Sequence, residues 1–311
     1  MAPAGSAPFL RYSTWLRERY GGTTYRVSVD AGFSCPVRDL GRPCAYCDAR
    51  GSRAPYLGEH GTIADQVRRG VEFLSRRYGA ERFLLYFQAY SNTHASVPRL
   101  REIYDWGLAQ AEFVGLVVAT RPDCIDEARA DLLGEYAARG LDVWVELGLQ
   151  SADDRTLEDI GRGHTVARFD EAVRVLAARG VHVAAHLILG LPGEGPEEAI
   201  ATVRHVSSLP VEGVKFHNLV VLEGTELWER FRAGRIDPPS AQEYERLLVA
   251  AIEHLREDIV VMRLTCDPPP GVRHAPETIP AKGALYRRLL AGFAERGTRQ
   301  GIHWSDHADE G

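Results

Sequence analysis

Lysine is almost missing from this chain: Lys215 and Lys282 are the only two in 311 residues, and nearly all of the cationic charge is arginine. With a formal net charge of −6, the molecule as a whole is not an electrostatic sponge for nucleic acid, although a local basic face stays open. The richness in arginine, alanine and glycine reads as codon bias, not as a phosphate-binding signal. Long apolar runs are missing too. None reaches the roughly 18 residues that a membrane span needs, and no basic stretch precedes an apolar one at the N-terminus, so neither a membrane segment nor a signal peptide is expected and the chain is read as cytoplasmic. Cysteine is scarce and odd in number. There are five, three of them between positions 35 and 47, which argues against a disulfide framework and for a reducing compartment with a metal site.

What is present is a regular alternation. Apolar runs at 25–30, 83–88, 113–120, 143–149, 181–189 and 214–222 are close to continuous in hydrophobicity, as parallel strands covered on both faces are. Helical periodicity fills intervals between them, at 62–78, 169–179 and 197–208. After the first interval the strand starts recur roughly every 29 to 39 residues, the length of a βα unit. Gly140, Gly180 and Gly213 each precede a strand, where a helix C-cap glycine belongs. Six such units predict an α/β fold, an incomplete (β/α)6 TIM-like barrel over residues 1–235 that carries a loop at 31–50. Beyond Pro238–Pro239, an amphipathic helix (241–256), a further strand (258–264), a Pro-rich loop (267–280) and a last helix (282–296) predict an α/β extension over 236–311, packed on the barrel.

The loop reads Asp30-Ala-Gly-Phe-Ser-Cys35-Pro-Val-Arg-Asp-Leu-Gly-Arg-Pro-Cys44-Ala-Tyr-Cys47 and follows the first strand, so it sits on the C-terminal face where barrel enzymes place their chemistry. Thiolates suit iron–sulfur clusters or zinc. Structural zinc takes four protein ligands, and so does a cluster used only for electron transfer. Three cysteines leave one iron of a [4Fe–4S] cluster open to a substrate; a zinc site finished by His60 or His94 is the alternative.

Further segments follow in order: Ala119-Thr-Arg-Pro-Asp-Cys124, Glu146-Leu-Gly-Leu-Gln-Ser151, Arg162-Gly-His-Thr165, His186-Leu-Ile-Leu-Gly-Leu-Pro-Gly-Glu194 and His217-Asn-Leu-Val-Val-Leu-Glu-Gly-Thr225. With the cysteine loop, this series resembles the radical S-adenosylmethionine (SAM) superfamily, in the branch that joins the elongator catalytic subunit to the YhcC/YtqA-like proteins. The resemblance is strongest to the latter, through the long first cysteine gap, Tyr86-Phe-Gln-Ala-Tyr-Ser-Asn-Thr93, Arg263-Leu-Thr265 and Arg296-Gly-Thr-Arg-Gln-Gly301. The common motif is C-x3-C-x2-C; here the first gap holds eight residues.

The resemblance implies that Cys35, Cys44 and Cys47 hold a [4Fe–4S] cluster whose open iron binds SAM, and that an electron donor such as flavodoxin or ferredoxin reduces it. Tyr46 is expected beside the adenine. Gln88 stands at the strand end where the superfamily keeps a Gly-Gly-Glu segment, with the glutamate missing. Gln150 and Arg162 match SAM contacts, the arginine as a bidentate partner for the methionyl carboxylate. Glu146 is expected to reach a ribose hydroxyl or an arginine, and His186 the ligand or substrate. The turn Gly190-Leu-Pro-Gly193 is expected to let the backbone approach the adenosine. Cys124, as a hydrogen-atom donor or nucleophile, and His217, on the substrate side, are the candidate catalytic pair. The substrate implied is a tRNA wobble uridine, with a small metabolite or peptide as the other reading and a non-catalytic metal scaffold as a third.

Overall fold

The computed structural model describes residues 7–48, 61–269, 271–279 and 281–305. Among them, seven parallel strands form one curled sheet in the order β1-β2-β3-β4-β5-β6-β8: β1 (Thr24–Val29), β2 (Arg82–Phe87), β3 (Gly115–Thr120), β4 (Asp142–Gln150), β5 (His182–Leu189), β6 (Gly213–Asn218) and β8 (Val260–Arg263). The sheet is a half-barrel. Its seventh strand is the one expected at 258–264, which lies parallel to β6. The apolar run expected as one strand over 214–222 is broken after Asn218. Its end is a separate β7 (Val221–Leu222), antiparallel to β9 (His274–Ala275). Leu219 and Val221 are apolar because they pack under α9 (Glu226–Arg232) with Leu227 and Trp228, not because they extend the sheet.

Helices α3 (Ile63–Tyr78), α4 (Val97–Leu108), α5 (Glu127–Ala138), α7 (Val166–Ala177), α8 (Pro196–Ser207), α10 (Ala241–Glu253) and α11 (Lys282–Arg296) contribute to the main core with the outward-facing residues of the strands. Their ends are written in the sequence. Thr62 and Asp65 close a capping box on α3, whose C-cap Gly79 is left-handed. Gly140 and Gly180 have φ of +91° and +70°, as C-cap glycines do. Gly213 is no cap: it opens β6, and a Cβ there would lie 2.7 Å from the Met262 side chain. No helix among the described residues is long and apolar enough to cross a membrane.

The inner face of the sheet is stopped at its N-terminal end by α1 (Tyr12–Tyr20). Leu16 and Trp15 pack on Leu84, Val117, Trp144 and Ala184, with the two indoles edge-on at 5.4 Å. Beside this plug, His182 bridges Glu212 (2.7 Å) and Asp142 (3.0 Å). Bonds to Asp142 and Glu212 outweigh burial and raise the His182 pKa from 6.5 to about 9. Because the folded value lies above the unfolded one, this stabilisation is complete below about pH 6.5 and is lost as pH rises through about 9. Unfolding free energy is expected to fall by up to roughly 3 kcal/mol over that window. His182→Gln should flatten the decline in denaturant titrations at pH 6.5 and 9.5; an unchanged slope would remove His182 from the account.

The free edge of β8 is covered by the start of the chain. Val261 N–H donates to Leu10 C=O (2.8 Å), and Gln300 latches the seam. Its Oε1 accepts from Leu10 N–H (2.8 Å), its Nε2 donates to Arg256 and Ile259 C=O (2.8 Å each), and its own N–H donates to Pro8 C=O (2.8 Å). Gln300→Ala strands three backbone groups, at about 1–3 kcal/mol for each one left unsatisfied. A loss of about 3 kcal/mol or more is expected in urea melts, with the iron content of the folded protein unchanged.

Candidate active site

The eight-residue gap between the first two cysteines is accommodated as a turn of helix. Cys35 caps α2 (Pro36–Asp39), accepting from Arg38 and Asp39 N–H, and Gly41 turns the chain back at φ +70°. Asp39 ties this turn to the end of β2 through His94 Nε2 (2.9 Å) and receives Ser34 Oγ (2.5 Å). The Cys44–Cys47 turn is pinned from both sides. Ala45 N–H donates to Ile160 C=O, after α6 (Asp154–Asp159), and Ala45 C=O accepts from Leu227 N–H of α9, both at 2.9 Å. The second cysteine gap is thus built into the barrel rather than left on a free loop.

Guanidinium groups surround the thiols. Arg162 Nη1 and Arg121 Nη1 point at Cys44 Sγ (3.6 and 3.7 Å), and Arg38 Nη2 at Cys47 Sγ (3.3 Å). Burial works against ionisation of Cys44, but Arg162 and Arg121 outweigh it and draw its pKa below that of a free thiol. At Cys47 burial prevails and the value rises. Arg162 is anchored by Gly148 C=O (2.6 Å), and a Cβ at Gly148 would lie 2.4 Å from Arg162 Nη2 and 2.6 Å from Gln150 Nε2, so a side chain there would displace both side-chain ends. Cys44, Gln150 and Arg162 are therefore gathered at one point at the end of β4. Arg162 Nε and Arg38 Nε are buried with no partner among the described residues, so donors remain for an anionic guest. Three soft thiolates, the cations to balance them and unspent N–H groups fit an iron–sulfur cluster with an anionic co-ligand. Among the described residues no three His, Cys, Asp or Glu side chains, the three loop cysteines included, stand close enough together to hold a metal ion as they lie. His94 is paired with Asp39, and His60 lies outside the described residues.

Left-handed backbone without glycine occurs at three described positions, Ala89 (φ +74°), Tyr90 (+58°) and Gln150 (+81°). All three lie at the C-terminal ends of β2 and β4, at the mouth, where stored strain commonly marks a functional rim. Gln88 follows β2 directly there, half-buried. Asn92 is structural, its amide bonded to Ala89 and Ala119 C=O. Tyr46 lies against the second core with Ala45, and burial raises its phenol pKa. Cys124 is buried in the turn after β3; burial pushes its thiol up to about 12, which keeps the S–H form and disfavours attack as a thiolate. Gly190 does not open space for a ligand: a Cβ there would meet Pro239 at 2.2 Å.

Below the mouth the lumen holds a charged layer. Glu146, fully buried, accepts from Arg26 (2.5 Å), Tyr86 (2.6 Å), His186 (3.0 Å) and Lys215. Of the two roles expected for Glu146, an arginine partner is the one present. His186 therefore sits on the floor, its pKa lowered to about 4 by burial and Lys215, and stacks on His217 at 5.4 Å. Arg26, Arg38, Arg121 and Lys215 were not among the residues singled out in the sequence. One signal for two of them was available: Arg26 and Lys215 are the full charges inside strands whose other residues are apolar or neutral polar.

The sequence profile of the Radical SAM superfamily matches residues 33–206. The chain belongs to that superfamily. The profile of the Radical SAM C-terminal domain matches residues 211–289 as well. Protein YhcC of Escherichia coli is 39% identical over 253 residues, 80% of this chain and 81% of that protein. The tRNA uridine(34) acetyltransferase of Dehalococcoides mccartyi is 35% identical over 133 residues, 42% of this chain and 28% of that protein. Among solved structures, archaeal Methanocaldococcus infernus Elp3 has a TM-score of 0.68 at 21% identity, covering 90% of this chain and 64% of that one. It shares the fold. As a radical SAM enzyme, the chain uses a [4Fe–4S] cluster and SAM.

Proposed function

We propose that this enzyme cleaves SAM reductively and spends the radical on the side chain of a tRNA wobble uridine. The observation that carries the SAM half is the convergence of Cys44, Gln150 and Arg162 at the end of β4. In this reading Cys35, Cys44 and Cys47 hold the cluster, which supplies one electron to the SAM sulfonium and so generates a 5′-deoxyadenosyl radical. Arg162 holds the methionyl carboxylate, Gln150 and Gln88 meet the polar groups of SAM, and Tyr46 flanks the adenine. Cys124 returns a hydrogen atom, and His217 faces the substrate. A flavodoxin or ferredoxin is the proposed reductant.

Support for the tRNA half is the likeness of a stretch of this chain to the tRNA uridine(34) acetyltransferase. The second reading, a small metabolite or peptide, is favoured by the net charge of −6, which works against a polyanion such as RNA. Anaerobic incubation of the reconstituted enzyme with SAM, dithionite and bulk tRNA, followed by nucleoside analysis, separates the two. A tRNA-dependent rise in 5′-deoxyadenosine with a new uridine derivative is expected, as is a salt-dependent gel shift. An unchanged nucleoside profile, with stimulation by a metabolite extract instead, would sink the tRNA half.

A further inference from the structure

The stretch Arg121-Pro-Asp123, which leaves β3 at the mouth, supplies neither a cluster thiol nor a SAM contact. Pro122 opens a single turn of 3-10 helix (Pro122–Cys124) directly after Arg121, and the turn brings Asp123 back onto the guanidinium. The pair is bidentate: Arg121 Nε donates to Asp123 Oδ1 (2.8 Å) and Nη2 to Oδ2 (3.0 Å). Nη2 also donates to Arg162 C=O (2.5 Å), and Nη1 to Cys44 Sγ (3.7 Å). Arg121 is buried, and all three of its guanidinium nitrogens are committed. Two guanidiniums thus share one sulfur, and they differ. Arg162 keeps a buried Nε with no partner among the described residues, a donor left for a guest. Arg121 has no nitrogen to spare. Cys44 is kept beside it by Ala45, whose N–H and C=O are bonded to Ile160 and Leu227. When Arg162 turns to the methionyl carboxylate, Arg121 is the cation that stays on Cys44.

We propose that Arg121 is a positioning residue that acts through Cys44 to raise the reduction potential of the cluster, with Asp123 opposing it. The inference rests on Cys44 being a cluster ligand. Reduction adds one electron, and with it one negative charge, to the cluster and its thiolates. A cation that donates to one of those sulfurs favours the reduced form, and hydrogen bonds to sulfur are among the factors that fix such potentials. The Asp123 carboxylate cancels part of the field of Arg121. Removing the cation and removing its acid should therefore move the potential in opposite directions. A clamp that served only to hold the turn together would not behave this way, because loss of either partner would loosen it alike.

The test needs neither SAM nor substrate. Reconstituted protein is poised at a series of potentials, and the electron paramagnetic resonance signal of the reduced cluster gives its midpoint. Arg121→Met is expected to disfavour the reduced form by about tenfold, a fall of about 59 mV for a one-electron couple. Arg121→Lys, which keeps the charge and loses the fork, should recover part of that fall. Asp123→Asn keeps an oxygen for the guanidinium, so its iron content should match wild type, and its midpoint should rise. This last variant decides the matter even where the methionine variant fails to hold iron. A midpoint unchanged or lowered in Asp123→Asn would overturn the assignment, as would an unchanged midpoint in a fully loaded Arg121→Met. Iron analysis of the wild type comes first: protein that binds no iron sinks the cluster reading itself, a failure separate from a loaded cluster whose potential ignores both residues.

Discussion

Replacing Cys47 with alanine is expected to reduce 5′-deoxyadenosine formation to the level of a no-enzyme control and to leave reconstituted protein far short of four irons per chain. The three thiols are the donors of the pinned loop, and the nearby described residues offer no substitute. His94 is held by Asp39, and Cys124 is buried as a thiol in the turn after β3. Loss of one thiolate also leaves Arg38 facing no anion at that position. The measurement pairs iron and sulfide analysis with chromatography of the nucleoside product from SAM and dithionite, wild type beside variant. A variant that retained full iron and full product would place the cluster elsewhere and overturn the site as a whole.

The second large effect is on stability. Glu146→Ala removes the acceptor shared by Arg26, Tyr86, His186 and Lys215. Two buried cations are left facing one another, and removal of one partner from a buried ion pair costs about 3–5 kcal/mol. Against a total stability of about 5–15 kcal/mol, that is a large fraction of what holds the chain folded. Glu146→Gln keeps the shape and one acceptor oxygen, and should lie between the two in guanidinium melts. A loss below about 1 kcal/mol for the alanine variant would mean that water reaches this layer and screens it.

How far the sequence could be read depended on what each residue type does locally. The six apolar runs were legible because strands covered on both faces have no polar alternation to blur them. The run at 214–222 was over-read for the same reason: apolar residues that turn under α9 look like a continued strand. Helix α1 gave no signal of its own. Trp15 and Leu16 owe their burial to the inner face of the sheet, which no local pattern announces. The cysteine loop and the pairing of Gln150 with Arg162 were legible as spacing. Arg121 and Arg38, in contrast, are ordinary-looking arginines whose meaning comes from a sulfur far along the chain or one turn away. Gly190 and Gly213 look alike in a sequence, and only packing shows that one makes way for Pro239 and the other for Met262.

The seam between Leu10 and Gln300 joins residues 290 positions apart, and this sets an order of events during synthesis. No nascent chain shorter than 300 residues can close it. Until then the edge of β8 lacks its latch, and an open strand edge recruits whatever strand comes near. Contacts this distant in sequence are also slow to form once the residues exist. The growing polypeptide therefore passes through a stage in which the cysteine loop is complete but the frame that holds the barrel is not. Iron and sulfide delivered before the latch closes would meet three reactive thiols on an unfinished wall, whereas delivery afterwards meets a finished one.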